Sequence, residues 1–256
     1  MPDYRLAVLR RHALFALLPL VSLGLSCSDR SEGDTLTVGA AASLTAAFSE
    51  IGDAFMAEHP GAKVAFEFGS SSDLAKGIDE GAPVDVFASA DTKNMDKVVA
   101  GVGVAAEPRT FATNELQIIV GKGNLKGVRS LADLAAPGLL VVTCSPEVPI
   151  GNYTQQVFDA AGVKVSPASL EENVKGIVTK VTLGEADAGV VYRTDVLAAA
   201  DKAEGVDIPA DVNVRATYPI AVTRAATDAK LAQEFVDFVM SPAGQAILLG
   251  YGFGAP

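Results

Sequence analysis

The feature that most constrains this chain is a repeated alternation between short apolar runs and longer segments with helical periodicity. The run LTVG at 36–39 is typical of a buried strand, and apolar residues then recur at helical spacing up to Phe55. This first helix is expected to end near His59-Pro60. Because strands and helices continue to alternate, the sequence predicts an α/β fold with parallel strands and helices on both faces of the sheet.

The predicted elements cover most of the chain. Further strands are predicted at 63–68, 84–88, 115–121, 139–143, 188–192 and 213–222, and further helices at 71–80, 92–100, 130–134, 151–161, 173–183 and 228–240, before a last helix capped by Ser241-Pro242. With 256 residues, of which 49% are hydrophobic, the chain can form one large domain or two lobes.

The charge balance restricts the possible partners. The formal net charge is -11, so nucleic acid is a poor partner because its phosphates would be repelled. A small anion is not excluded, since neutral hydrogen-bond donors can hold it. The sequence has no P-loop, no GxGxxG with the expected acidic residue and no zinc-ligand spacing. We therefore expect no cofactor and no metal cation held directly by side chains.

The first 26 residues are typical of an export signal. A start with three Arg residues precedes an apolar run at 13–25, which is too short to span a bilayer comfortably. The run ends in SLGLSC, which resembles a lipobox whose lipidated Cys27 would be the mature N-terminus, with 27–33 as a polar tether. An ordinary cleavable signal with an incidental Cys is the alternative. Either case predicts a periplasmic or cell-surface protein, and Cys144 leaves no disulfide framework.

Small and hydroxyl-bearing residues follow the first two predicted strands. AAAS leads through Ser43 into one helix, and GSSSDL leads through Ser71 into the next. Helix starts present unpaired N–H groups, and small side chains let an anion approach them. Ligands of open α/β sheets also bind beyond the carboxyl ends of the strands. The alternative for both serines is plain helix capping.

Two later segments are further candidates. The loop PEVPIG at 146–151 could supply backbone N–H donors near Ile150, although it is equally typical of a rigid connector. Tyr192 ends the strand at 188–192, so its hydroxyl could reach a cleft or could be satisfied in the core. Asp85 and Asp91 are more typical of loop or capping residues than of a catalytic pair.

In their order and spacing, these motifs resemble one known family. The motifs are AAASLT at 40–45, GSSSDL at 69–74, GAPVDVFASAD at 81–91, PEVPIG at 146–151, AGVVY at 188–192, SPAGQ at 241–245 and YGF at 251–253. Together they resemble the periplasmic molybdate-binding proteins of ABC importers, over about Thr35 to Phe253. The loop at 146–151 is a residue shorter than in the best-known members, and Ile150 stands where a small residue is expected.

The resemblance implies a two-lobed type II periplasmic-binding-protein fold, each lobe a mixed sheet flanked by helices, with a hinge that closes on ligand. Lobe one would be 34–112 with 218–256, and lobe two 113–217. The implied ligand contacts are the hydroxyls of Ser43, Ser71 and Tyr192 and the backbone N–H groups of Ile150 and Val174, the last within ENVKG at 172–176. The ligand would be molybdate or tungstate, delivered by a monomer to the membrane subunits of an ABC importer, with a lipid anchor as the only membrane contact.

Three alternatives remain from the sequence. Another tetrahedral oxyanion, such as sulfate or phosphate, could be the ligand, because selectivity against sulfate would depend mostly on cavity size. A hydrolase using Ser43 or Ser71 would need a base, and His59 lies at the far end of its helix from Ser43. A ligand-dependent sensor would carry a signalling segment, and none is found up to Pro256.

Overall fold

The computed structural model describes residues 35–256. The predicted signal peptide at 1–26, the tether at 27–33 and the lipidation site at Cys27 lie outside the described residues. None of the helices described is long and apolar enough to cross a membrane.

Within residues 35–256 the chain forms nine strands, eight α-helices and two short 3-10 helices. The strands are β1 (Thr35–Ala41), β2 (Lys63–Gly69), β3 (Val86–Ala88), β4 (Arg109–Gly121), β5 (Val141–Cys144), β6 (Ser169–Glu171), β7 (Ala188–Tyr192), β8 (Ala203–Asp207) and β9 (Arg215–Val222). The α-helices are α1 (Thr45–Glu58), α2 (Ser71–Asp79), α3 (Thr92–Ala100), α4 (Pro149–Ala161), α5 (Val174–Leu183), α6 (Arg193–Ala198), α7 (Ala229–Met240) and α8 (Pro242–Gly250). The 3-10 helices are Ala42–Leu44 and Leu131–Ala135.

The nine strands form one mixed sheet. Their order is β2-β1-β3-β9-β4-β7-β5-β6, with β8 also paired to β4. β1 pairs in parallel with β2 and β3, and β5 pairs in parallel with β6 and β7. The central strands β4 and β9 are antiparallel to each other and to their other neighbours. The α/β class and the mixed sheet are confirmed, and the purely parallel sheet suggested by the alternation is wrong at its centre.

Strand β4 joins the two parallel groups of strands. Its first part, Arg109–Glu115, pairs with β9, and its second part, from Leu116 onward, pairs with β7 and β8. The sequence predicted only 115–121, because the residues before it, RTFATN at 109–114, contain just two apolar side chains and no clear apolar run. Pairing with the distant β9 makes this stretch extended, which is a tertiary effect on a weak local preference.

Three more elements were not predicted from the sequence, namely β6, α6 and β8. All three are short, and β6 and β8 expose alternate residues, so they carry little hydrophobic signal. The other predicted elements are present, and α3 and β7 have the predicted ends.

A group of aromatic side chains packs α1 and α7 against the sheet. Phe48 lies 5.5 Å from Phe111, and Phe55 lies 5.3 Å from Phe235, measured between ring centroids. All four rings are fully buried. Phe48 and Phe55 lie on the apolar face of α1 that the sequence predicted, so burial of this face fixes the helix and the loop that precedes it.

Candidate oxyanion site

The five residues predicted as ligand contacts are buried and line one small cavity. Ser43, Ser71, Ile150, Val174 and Tyr192 all contribute to its wall. Each lies at or just beyond the carboxyl end of a strand, namely β1, β2, β5, β6 and β7 in that order. The cavity therefore lies where the carboxyl ends of the two parallel groups of strands meet, which is the usual ligand position in open α/β sheets.

The cavity is small and carries no formal charge. Its volume is about 20 Å³, compared with the ~10–15 Å³ that a single water requires. None of the lining residues, all within 35–256, is Asp, Glu, Lys, Arg or His. The other lining residues are Ala41, Ala42, Gly69, Ser70, Ala90, Val148, Pro149 and Asn173. An ion held there is held by neutral groups.

Ser43 does not cap a helix. It lies within the 3-10 helix Ala42–Leu44, and no side chain caps the start of α1. Its Oγ instead lies 3.1 Å from the hydroxyl oxygen of Tyr218 on β9, and both groups are buried. Plain capping by Ser43 is therefore excluded, and its hydroxyl is placed at the cavity wall.

Ser71 is released from capping by the residue before it. Ser70 is the N-cap of α2, and its Oγ accepts from the N–H of Asp73 at 3.2 Å and donates to the Asp73 carboxylate at 2.6 Å. Ser71 Oγ accepts from the N–H of Ala90 at 3.0 Å and is almost fully buried. The capping alternative thus applies to Ser70, whereas the Ser71 hydroxyl proton is left for a ligand.

Ile150 and Val174 contribute backbone groups at two helix starts. Pro149 is the first residue of α4, so Ile150 carries the first N–H of that helix, and Val174 is the first residue of α5. First-turn N–H groups have no acceptor within their own helix and carry the positive end of the helix dipole. Asn173 caps α5 by accepting from the N–H of Lys175 at 2.9 Å, which leaves Val174 uncapped.

Gly151 explains why the loop before α4 can approach so closely. A Cβ on Gly151 would collide with the carbonyl oxygens of Cys144 and Ser145. The absence of a side chain lets strand β5 turn directly into α4 and brings Ile150 to the cavity. From the sequence, this loop could be either a source of N–H donors or a rigid connector. In the structure it brings Ile150 to the cavity wall.

Tyr192 carries a buried hydroxyl at the wall of the cavity. Only 1% of Tyr192 is exposed, and its hydroxyl has no hydrogen-bond partner among residues 35–256. Burial raises the pKa of Tyr192 well above its usual value, so the hydroxyl keeps its proton. A buried donor of this kind normally has an acceptor, and the cavity is where one can bind.

Other candidate residues have structural roles. Asp91 caps α3 by accepting from the N–H of Asn94 at 2.9 Å. Asp85 is buried and accepts from the N–H groups of Thr37 at 2.7 Å and Thr227 at 2.8 Å. The prediction that these two are loop or capping residues is confirmed. Burial raises the pKa of the Cys144 thiol to about 12, so this thiol is not a nucleophile near neutral pH.

A larger open groove lies beside the cavity and shares Val148 with it. The groove has a volume of about 850 Å³ and is lined by six carboxylates and two lysines. An acidic groove repels anions, and none of the five predicted contacts lines it. The small neutral cavity is therefore the candidate anion site. Within residues 35–256 no group of three or more His, Cys, Asp and Glu side chains is arranged to hold a metal cation.

Several residues of this region were not found from the sequence. Tyr218 is the hydrogen-bond partner of Ser43, and Ala90 is that of Ser71. Tyr218 lies 175 residues from Ser43 along the chain. No spacing rule connects residues so far apart. The strand–loop–helix pattern located each loop, but not the partners that reach it from elsewhere.

Known proteins similar to this chain share its length and fold. The family model described as bacterial extracellular solute-binding protein matches residues 36–254. The molybdate-binding protein ModA of Mycobacterium tuberculosis (strain ATCC 25618 / H37Rv) is 45% identical over 87% of this chain and 85% of its own length. The molybdate-binding protein ModA of Escherichia coli (strain K12) is 32% identical over 85% of this chain and 88% of its own.

Among solved structures, the periplasmic molybdate-binding protein of Azotobacter vinelandii superposes with a TM-score of 0.72. It is 23% identical and covers 86% of this chain and 99% of that one. This likeness confirms the periplasmic-binding-protein fold implied by the motifs. With the family match over almost the whole described region, it follows that this chain belongs to the bacterial extracellular solute-binding protein family.

Proposed function

We propose that this protein binds molybdate or tungstate outside the cytoplasm and delivers it to the membrane subunits of an ABC importer. The observation that carries the proposal is that all five predicted contacts line one small cavity, at which the Tyr192 hydroxyl has no partner among the described residues. The relatives at 45% and 32% identity, whose names are those of molybdate-binding proteins, support the choice of ligand.

The chemistry of the wall favours a fully ionised oxyanion. Ser43 and Ser71 each have a protein group in hydrogen-bonding contact with Oγ, so each can direct its own proton to the ligand. The N–H groups of Ile150 and Val174 and the hydroxyl of Tyr192 add further donors. Donors that bond to a charged group contribute about 1.5–3 kcal/mol each. A phosphate that keeps a proton would need an acceptor, and the wall carries no carboxylate.

We also propose that the site binds without catalysis. A hydrolase would need a base next to Ser43 or Ser71, and these hydroxyls contact Tyr218 and the Ala90 N–H instead. His59 follows the last residue of α1, where its ring stacks on Phe55 with centroids 4.0 Å apart. The family, whose members bind solutes, supports the same choice.

Two lobes with the predicted bounds, 34–112 with 218–256 and 113–217, are part of the proposal. The two boundaries meet across the β4–β9 ladder, because Thr113 pairs with Thr217. Ser43 and Ser71 belong to the first lobe, and the other three contacts belong to the second. Closure of the lobes would then complete the donor set around the ion and bury it.

Export with a lipid anchor at Cys27 and action as a monomer complete the proposal. Mass spectrometry of the full chain expressed in a bacterium tests the anchor, because an acylated N-terminal Cys27 has a mass that a simple cleavage product lacks. Cleavage at another position without acylation would leave a soluble exported protein and remove the anchor from the proposal.

Thermal denaturation with each anion tests the choice of ligand. At a ligand concentration of 100 times Kd, binding stabilises the native state by about 2.7 kcal/mol, which raises Tm by about 5–10 °C for a chain of this length. We expect this shift with molybdate and tungstate and little change with sulfate at the same concentration. Calorimetric titration of the three anions gives the Kd values. Equal stabilisation by sulfate would contradict selectivity by cavity size.

A further inference from the structure

Tyr218 lies outside the cavity and contacts two residues that line it, one from each proposed lobe. Tyr218 on β9 is fully buried and does not line the cavity. Its hydroxyl oxygen lies 3.1 Å from Ser43 Oγ, and its ring packs edge-to-face against Tyr192 with centroids 5.8 Å apart. The ring is held in turn by Phe111 at 6.2 Å and Phe253 at 5.5 Å.

The direction of the Tyr218–Ser43 hydrogen bond matters for ligand binding. Either hydroxyl can be the donor in the structure as it stands. A serine hydroxyl has one proton, so while the two hydroxyls stay bonded to each other Ser43 can donate to an anion only by accepting from Tyr218. Burial raises the pKa of Tyr218 above its usual value, so its proton remains available for donation.

Ser71 shows the same arrangement with a backbone donor. The N–H of Ala90 can only donate, so Ser71 Oγ must accept and its proton is free for the ligand. Both serines therefore have a protein group in hydrogen-bonding contact with Oγ. For Ser71 that group is a backbone N–H, which can only donate, whereas for Ser43 it is the Tyr218 side chain, which can be substituted.

We propose that Tyr218 is a positioning residue that donates to Ser43 and thereby turns the Ser43 hydroxyl proton toward the bound oxyanion. The proposal rests on the proposed function, in which Ser43 donates to the ligand. Successive O–H groups that donate in one direction polarise each other, so the bond from Ser43 to the anion is stronger than an isolated serine would make. Tyr218 also supports the ring of Tyr192, whose hydroxyl donates to the same ion.

A double-mutant cycle in the mature full-length protein separates this role from a general structural one. The Kd for molybdate is measured by calorimetric titration for the wild type, Tyr218→Phe, Ser43→Ala and the double variant. Tyr218→Phe keeps the ring and its packing against Tyr192, and we expect it to weaken binding about five- to tenfold, as for loss of one hydrogen bond. In the Ser43→Ala background the same substitution should change the Kd less than twofold.

Tyr251→Phe is the matched control. It removes an exposed tyrosine hydroxyl that donates to Glu50 at 2.8 Å, and Tyr251 does not line the cavity. It should leave the Kd unchanged. An equal loss on Tyr218→Phe in both backgrounds would mean that Tyr218 acts on the fold and not through Ser43. An unchanged Kd in Tyr218→Phe or in Ser43→Ala would also overturn the proposal.

The outcome for the wild type distinguishes this proposal from the proposed function. If the wild type binds molybdate and the cycle shows no coupling, the positioning role fails while oxyanion binding stands. If the wild type binds none of molybdate, tungstate and sulfate, both fail together.

Discussion

Neighbouring residues determine whether each serine hydroxyl at the cavity caps a helix or is available for another hydrogen bond. Ser70 takes the capping role at the start of α2, and Ser71 beside it is held by Ala90. Adjacent residues of the same type thus have different roles, which their distinct backbone positions explain. The N-cap side chain folds back onto its own helix, whereas the first helical residue directs its side chain elsewhere.

Substitution of Ser71 tests this division of roles. Ser71→Ala should weaken molybdate binding tenfold or more, because a buried hydrogen bond to a charged group contributes about 1.5–3 kcal/mol. Ser49→Ala is the control, since Ser49 is an exposed serine of α1 that donates to the Thr45 carbonyl at 2.8 Å and does not line the cavity. Calorimetric titration measures both. A Kd of Ser71→Ala equal to that of the control would remove Ser71 from the site.

Tyr192 gives a prediction in which stability and affinity change separately. Tyr192→Phe removes a buried hydroxyl that has no partner among the described residues, so the free energy of unfolding of the ligand-free protein should stay the same or rise. Affinity for molybdate should fall about tenfold, because the ion loses one donor. Urea denaturation and calorimetric titration measure the two effects. A clear loss of ligand-free stability would mean that the hydroxyl is bonded within the protein.

At the scale of elements, helix α3 and the loop before α4 meet at the open groove, which Lys97 and Glu147 both line. Glu147 in that loop lies 3.4 Å from the Lys93 ammonium and 3.7 Å from that of Lys97, both on α3. The loop continues through Val148 to Ile150 at the cavity. These ion pairs therefore link the loop that leads to Ile150, a predicted contact, to helix α3 of the first predicted lobe.

Removal of Glu147 should speed ligand release. The side chains involved are about half exposed or more, and exposed ion pairs contribute up to about 1 kcal/mol, so Glu147→Gln should raise the release rate by no more than about fivefold. Stopped-flow displacement of molybdate by tungstate measures the rate. The difference from the wild type should disappear at 1 M salt, where the Debye length is about 3 Å.

Glu80→Gln is the control for charge alone. Glu80 directly follows the last residue of α2, pairs with Lys76 of that helix and lines the same open groove as Glu147. The Glu80→Gln substitution removes one negative charge, as Glu147→Gln does, without breaking an ion pair between two elements. An equal change in release rate for both variants would attribute the effect to the field of the groove and not to the ion pair.

At the scale of the whole molecule, ligand binding should change the shape of the protein. Ser43 and Ser71 lie on one predicted lobe and the other contacts on the second, so the complete donor set exists only when the lobes are closed. We expect a radius of gyration near ~17 Å for the molybdate complex, as for a compact chain of the described length, and a larger value without ligand. Small-angle X-ray scattering of both forms measures this. Identical curves would contradict closure by a hinge.

Local properties of the sequence were sufficient for most elements and for the position of the site loops. Helical periodicity located α1 and α7, and the Ser-Pro pair located the start of α8, where Ser241 accepts from the N–H of Gly244 at 3.2 Å. Small residues after β1 and hydroxyls after β2 marked the two loops whose serines line the cavity. These signals are readable because each depends on a few consecutive residues and on the backbone geometry that they favour.

The tertiary structure decided what local pattern cannot encode. It made the centre of the sheet antiparallel by pairing β4 with the distant β9, and it brought Tyr218 to Ser43 across 175 positions. It also fixed the cavity at about 20 Å³, the quantity on which the predicted selection among oxyanions depends. The sequence alone determined which groups could donate to an anion. Packing between distant segments determined which of them line one cavity and how much space they leave, because those contacts exist only once the chain has folded.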